Sequence, residues 1–95
     1  MNKEIVDKLI QILCQILNSK MFRLYNVNQF VKLVNEFHEE IPRDIFEIFD
    51  ELALDLQYYE PNEEWRKEDL SFYGDERLEK EINVALAKIE NLKTK

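Results

Sequence analysis

Glycine occurs once in this chain of 95 residues, proline twice, cysteine once and histidine once. All-β folds draw on Gly, Pro and Asn-Gly turns, so a sandwich or barrel is excluded, as are collagen-like and Gly/Ser-linker chains. A lone cysteine, Cys14, closes no intramolecular disulfide, which fits a reducing cytoplasm. No apolar run approaches the ~18–20 residues of a membrane span and no signal peptide is visible, so a cytoplasmic protein with no membrane partner is expected. Disorder is excluded by what is abundant: 45% of residues are hydrophobic and 12% aromatic, enough to build a core. The length predicts one domain, residues 1–95, with one modest core and little room for an internal cofactor; none is expected.

Apolar spacing predicts four helices. The first runs from about Lys3 to Asn18, with Ile5, Leu9, Ile12, Leu13 and Ile16 as its stripe and Val6, Ile10 and Leu17 widening it. Cys14 projects to the far side of that stripe. Ser19 to Asn26 is a connection whose Met21, Phe22, Leu24 and Tyr25 are too apolar to be left in water and are expected to pack down. The second helix starts near Asn26 or Asn28, either a suitable cap, carries Val27, Phe30, Val31, Val34 and Phe37, and ends before Pro42. The third spans about Pro42 to Tyr59, with Ile45, Phe49, Leu52, Leu56 and Tyr59 inward and Ile48 beside them. A loop from Glu60 to Gly74 follows. The last helix, from an Asp75 cap to about Asn91, lines one face with Leu78, Ile82, Ala85, Leu86, Ile89 and Leu92. Short joints and wide stripes predict an all-α fold, a small antiparallel four-helix bundle.

The formal charge of −7 is unevenly placed. Residues 1–43 are net +1 and residues 82–95 net +2, while residues 44–81 are net −10. Such a charge repels nucleic acid and anionic membranes and attracts basic partners, although solubility alone also favours net negative charge. On the third helix Asp44, Glu47, Asp50, Glu51 and Asp55 fall opposite the apolar stripe, and Leu54 and Tyr58, four residues apart, lie among them. This pair is either a contact surface, for which Tyr is well suited, or a Leu54 packed under the following loop beside an ordinary exposed ring. In the loop, Glu60, Glu63, Glu64, Glu68 and Asp69 alternate with Tyr59, Trp65, Phe72 and Tyr73. The aromatics either pin the loop or are presented with the acids, and an arrangement with Trp65 inward and Glu63 and Glu64 outward satisfies both.

Catalysis has little support. There is no Gly-rich phosphate loop and no nucleophile elbow. His38 lies beside Glu39 and Glu40 at the expected end of the second helix, where a surface imidazole is the simple reading. The Glu-x-x-His pairs of carboxylate-metal bundles are absent, Asn35 standing three residues before His38, and the acidic stretch from Asp69 to Glu76 lacks EF-hand spacing. Neither an enzyme nor a metal protein is expected.

The segment from Asp50 onward reads Asp50-Glu51-Leu52, then Tyr59-Glu60-Pro61-Asn62-Glu63-Glu64, then Leu78-Glu79-Lys80-Glu81-Ile82 and Leu86-Ala87-Lys88-Ile89. In order and spacing this resembles the colicin D immunity protein-like family of bacterial self-protective immunity proteins, which includes immunity modules against contact-dependent inhibition toxins. The match covers roughly the C-terminal half; the N-terminal half agrees only in helical order and in Ser19-Lys20. The resemblance implies a small four-helix protein that binds the basic nuclease domain of a cognate toxin cleaving tRNA in the anticodon loop. Carboxylates then stand where RNA phosphates would lie. Carried onto this chain, the partner-binding residues are Glu60, Glu63, Glu64, Asp50 and Glu51, to which the residue reading adds Leu54, Tyr58, Glu68 and Asp69. Gln57 and Asn62 depart from the family pattern, where acids would strengthen it. The alternatives are an acidic adaptor or antitoxin for another basic protein, or a nucleic-acid mimic. A bundle that self-associates through Met21, Phe22 and Leu24 is a further one.

Overall fold

A computed structural model describes residues 3–93, so the one-domain reading over residues 1–95 reaches two residues past it at each end. The described chain is all-α, with four long helices, α1 (Lys3–Asn18), α2 (Arg23–Glu36), α3 (Arg43–Leu56) and α5 (Asp75–Lys93), and a short α4 (Glu63–Arg66). α1 packs on α2, α2 on α3, α3 on α5, and α5 returns to α1. The apolar stripes expected from the 3.6-residue period meet between them. Leu9, Leu13 and Ile16 from α1, Phe30 and Val34 from α2, Phe49 from α3 and Leu78 and Ile82 from α5 are fully buried. Phe30 and Phe49 meet edge to face at the centre, their ring centroids 5.6 Å apart. This geometry places the positive ring edge of one against the negative face of the other. Val6 is more buried than Ile5, so the α1 stripe is rotated slightly from its expected axis.

The helix ends are where the fold departs from the sequence reading. α2 begins at Arg23, a turn before Asn26 or Asn28, and no side chain caps it. Its start is held by Arg23 itself, which is 3% exposed. Arg23 Nε donates to the Ile16 carbonyl at the end of α1 (2.9 Å), satisfying an acceptor that helix termini leave open. One Nη of Arg23 donates to Asp75 Oδ1 (2.9 Å) and Glu79 Oε2 (3.0 Å) on the first turns of α5. The Tyr59 hydroxyl, just beyond α3, donates to the same Asp75 oxygen (2.7 Å). One buried guanidinium therefore ties α2 to α1 and α5, and Asp75 extends the network to Tyr59 just past α3. Asp75 is the first residue of α5 and spends its carboxylate on this network, where a capping role was expected.

Because Arg23 takes the inward position, its neighbours turn out. Met21, Phe22, Leu24 and Tyr25, expected to pack down, are exposed, Phe22 by 72%. Phe22 also adopts a left-handed backbone (φ 59°, ψ 21°), which is costly for a residue with a bulky side chain. At the other end of α2, a 3₁₀ turn (His38–Glu40) leads to Ile41, whose extended backbone (φ −92°, ψ 131°) is what a residue before proline must adopt. α3 ends at Leu56, three residues short of the expected Tyr59.

Burial first, then the hydrogen bond to Asp75, push the Tyr59 hydroxyl well above the usual tyrosine pKa. Tyr73 is raised likewise by burial and by the charge and hydrogen bond of Asp55. A raised folded pKa lends stability that is complete below the unfolded value, near pH 10, and is lost as pH rises towards the folded value. For Asp75, burial opposes the charge, but bonds from Tyr59 and Arg23 outweigh it and hold the pKa below the usual carboxylate value. Its contribution is present above the unfolded value, about 4, and is lost as pH falls through the folded one. The urea midpoint is thus expected to be flat between about pH 5 and 9.5 and to fall beyond about pH 10. Tyr59→Phe/Tyr73→Phe should flatten the alkaline limb; an unchanged slope would contradict the assignment.

Candidate functional site

After Leu56 the chain tightens: Tyr58 N–H donates to the Asp55 carbonyl (3.1 Å) and Tyr59 N–H to that of Leu56 (3.1 Å). This carries Tyr58 onto the outward side of α3. At about 100° per residue, Asp50, Glu51, Leu54 and Tyr58 fall within one quadrant or so of that surface. Leu54 is 58% exposed and Tyr58 46%, so the pair is a surface feature and Leu54 is not covered by the loop. Glu51 is exposed and stands at the edge of a shallow groove between α3 and α5 floored by Leu52, Val84 and Ala85. Asp50 is half-buried.

The loop is rooted on the same turn. Tyr73 N–H donates to the Tyr58 carbonyl (3.0 Å) and Glu60 N–H to the Tyr73 carbonyl (2.9 Å), while the buried Tyr59 and Tyr73 rings lie side by side below. Residues 60–72 therefore leave and return at one point. Within them a helical turn forms that was expected to be loop. Asn62 Oδ1 accepts from the N–H groups of Glu64 (2.9 Å) and Trp65 (3.3 Å), capping α4. Asn62 thus has a local structural role. The signal for α4 was present in the sequence: Asn after Pro, then two acids in the first turn. Trp65, for which an inward position is one of the arrangements the sequence leaves open, is 59% exposed, and Leu70 is fully exposed beside an Asp69 turn in which Oδ1 accepts from Ser71 N–H (2.8 Å).

The acids do not all play one part. Glu60 is half-buried; its carboxylate accepts from Asn62 N–H (3.0 Å) and its carbonyl from Arg66 (2.8 Å), so it shapes the loop. The Arg66 guanidinium lies over Gly74, where a Cβ would come within 2.8 Å of it. Asp55, expected to face solvent, accepts from the Tyr73 hydroxyl (3.2 Å) and lies 3.8 Å from Arg77. Arg77 also stacks on the Tyr73 ring and approaches Glu81. Glu64 pairs loosely with Lys67 (3.4 Å). In contrast, Asp50, Glu51, Glu63, Glu68 and Asp69 meet no cation within ion-pair distance among the described residues. Arg66 and Arg77 are drawn to groups of their own chain, and the exposed carboxylates keep their field.

His38 is exposed, with Nδ1 2.9 Å from the Asn35 carbonyl, and Cys14 is exposed on α1. No helix among the described residues is long and apolar enough to cross a membrane. Comparison with protein-family models, curated proteins and solved structures finds no match to this chain.

Proposed function

We propose that this protein is an immunity protein that binds and inhibits a cognate nuclease toxin, a tRNA-cleaving one by the resemblance given above. It is an inhibitor and not an enzyme, works in the cytoplasm, and arranges its long helices as an antiparallel bundle. The observation that carries the reading is the set of carboxylates without cations on α3 and on the segment rooted at Tyr58, together with the exposed Leu54–Tyr58 pair. Asp50, Glu51, Glu63, Glu68 and Asp69 offer acceptors to the lysines and arginines of an RNA-cleaving site, and charge-assisted bonds of that kind are short and directional. Leu54 and Tyr58 supply the apolar centre that a tight contact requires. The basic region of the toxin, steered by the opposed field, is covered where RNA phosphates would bind.

The test pairs this protein with the product of the gene immediately upstream of its own, assayed as a tRNA nuclease. Co-purification and suppression of tRNA cleavage at near-stoichiometric ratio are expected. Cleavage that continues in excess of this protein, with no complex formed, would overturn the proposal.

A further inference from the structure

We propose that the corner between α1 and α2 is a self-association surface, through which two copies of this chain meet at Phe22 and Tyr25. The four exposed apolar side chains Met21, Phe22, Leu24 and Tyr25 leave on the order of 500 Å² open in sum, and Phe22 and Tyr25 line one hollow. Two copies meeting there bury at most about 1,000 Å², the size of a weak, reversible contact.

The charge pattern selects the occupant. Two copies of a molecule with a net charge of −7 repel wherever acids face one another. Residues 19–35 contain no acid at all. Of their three cations, Arg23 is bound to Asp75 and Glu79, and Lys20 acts on Asp75. The corner therefore carries no net negative charge, and two copies meet there without facing carboxylates, leaving only the weaker repulsion between the two whole molecules. A basic partner finds no carboxylate in this stretch, which separates the corner from the acidic side. Phe22 adds an independent sign: its ring is held outward by a left-handed backbone that burial in the monomer does not repay. Phe22, Tyr25 and Asn26 enclose a shallow hollow into which a ring of the second copy fits, and Asn26 supplies a polar edge.

Sedimentation of the full chain from about 10 μM to about 1 mM is expected to show a reversible dimer with a dissociation constant in the tens to hundreds of micromolar. Raising salt should strengthen it, since like charge is screened. Phe22→Asn/Tyr25→Ser should weaken it at least about tenfold, with a urea midpoint at or above wild type because Asn tolerates the left-handed backbone. Tyr25→Ser alone provides the same test should the double variant lose helicity. Glu63→Lys/Glu64→Lys should leave the dimer intact. A monomer at every concentration, or a dimer indifferent to Tyr25, overturns the proposal. So does a dimer that salt dissolves and the Glu63/Glu64 reversal abolishes, which marks a head-to-tail contact through the acidic side.

Discussion

Arg23→Ala is expected to cost about 2–4 kcal/mol of folding stability, a large share of what a domain of this size possesses. The side chain is 3% exposed and serves three acceptors on two helices. Truncation leaves the Ile16 carbonyl and two carboxylates without their donor, and breaking a fully buried pair in this way typically costs about 3–5 kcal/mol. Asp75 and Glu79 are 38% and 41% exposed, so water takes up part of the loss and the lower range applies. Arg23→Lys should recover only a minority of the difference, because an ammonium group lacks the planar fork that reaches Ile16 and α5 together. Urea unfolding followed by helical circular dichroism measures both variants. A loss below about 0.5 kcal/mol for Arg23→Ala would show that the network is dispensable.

If the acidic side is the proposed toxin interface, charge reversal and apolar truncation there are expected to weaken binding in different ways. Glu63→Lys/Glu64→Lys exchanges two exposed acids for two cations and should reduce affinity about 10–100-fold, mainly through slower association and most strongly at low salt. Leu54→Ala/Tyr58→Ala removes desolvated contact area and should cost about 2–4 kcal/mol of binding, mainly through faster dissociation. Both pairs are solvent-exposed and make few contacts within the molecule, so folding stability should change little. Surface-captured nuclease domain with each variant in solution separates the two rates. Wild-type rates for both variants would remove the acidic side from the interface.

Much of the fold was legible because it rests on periodicity. Leu9, Leu13 and Ile16, or Leu78, Ile82 and Ile89, recur at helical spacing and are buried as that spacing requires. The interior ends of helices are set by longer-range chemistry that periodicity does not carry. Nothing in its neighbourhood marks Arg23 as buried; its carboxylate partners lie 52 and 56 residues away, and its inward turn leaves Met21, Phe22, Leu24 and Tyr25 exposed. The Leu54–Tyr58 pair was visible, since four-residue spacing on a known face fixes direction. The division of labour among the acids was not. Asp55 and Glu60 look like Glu51 and Glu63 in sequence, and only the positions of Tyr73, Arg77 and Arg66 distinguish structural carboxylates from available ones.

The two backbone bonds that join Tyr58, Glu60 and Tyr73 have an evolutionary consequence. A segment whose ends are clasped together behaves as a cassette. Its closure is secured by the buried tyrosines beneath, and lengthening it adds only about 0.6 kcal/mol for each doubling. Insertions and substitutions between Pro61 and Phe72 are therefore expected to leave the four long helices undisturbed, so the surface of the segment can vary while the scaffold is inherited intact.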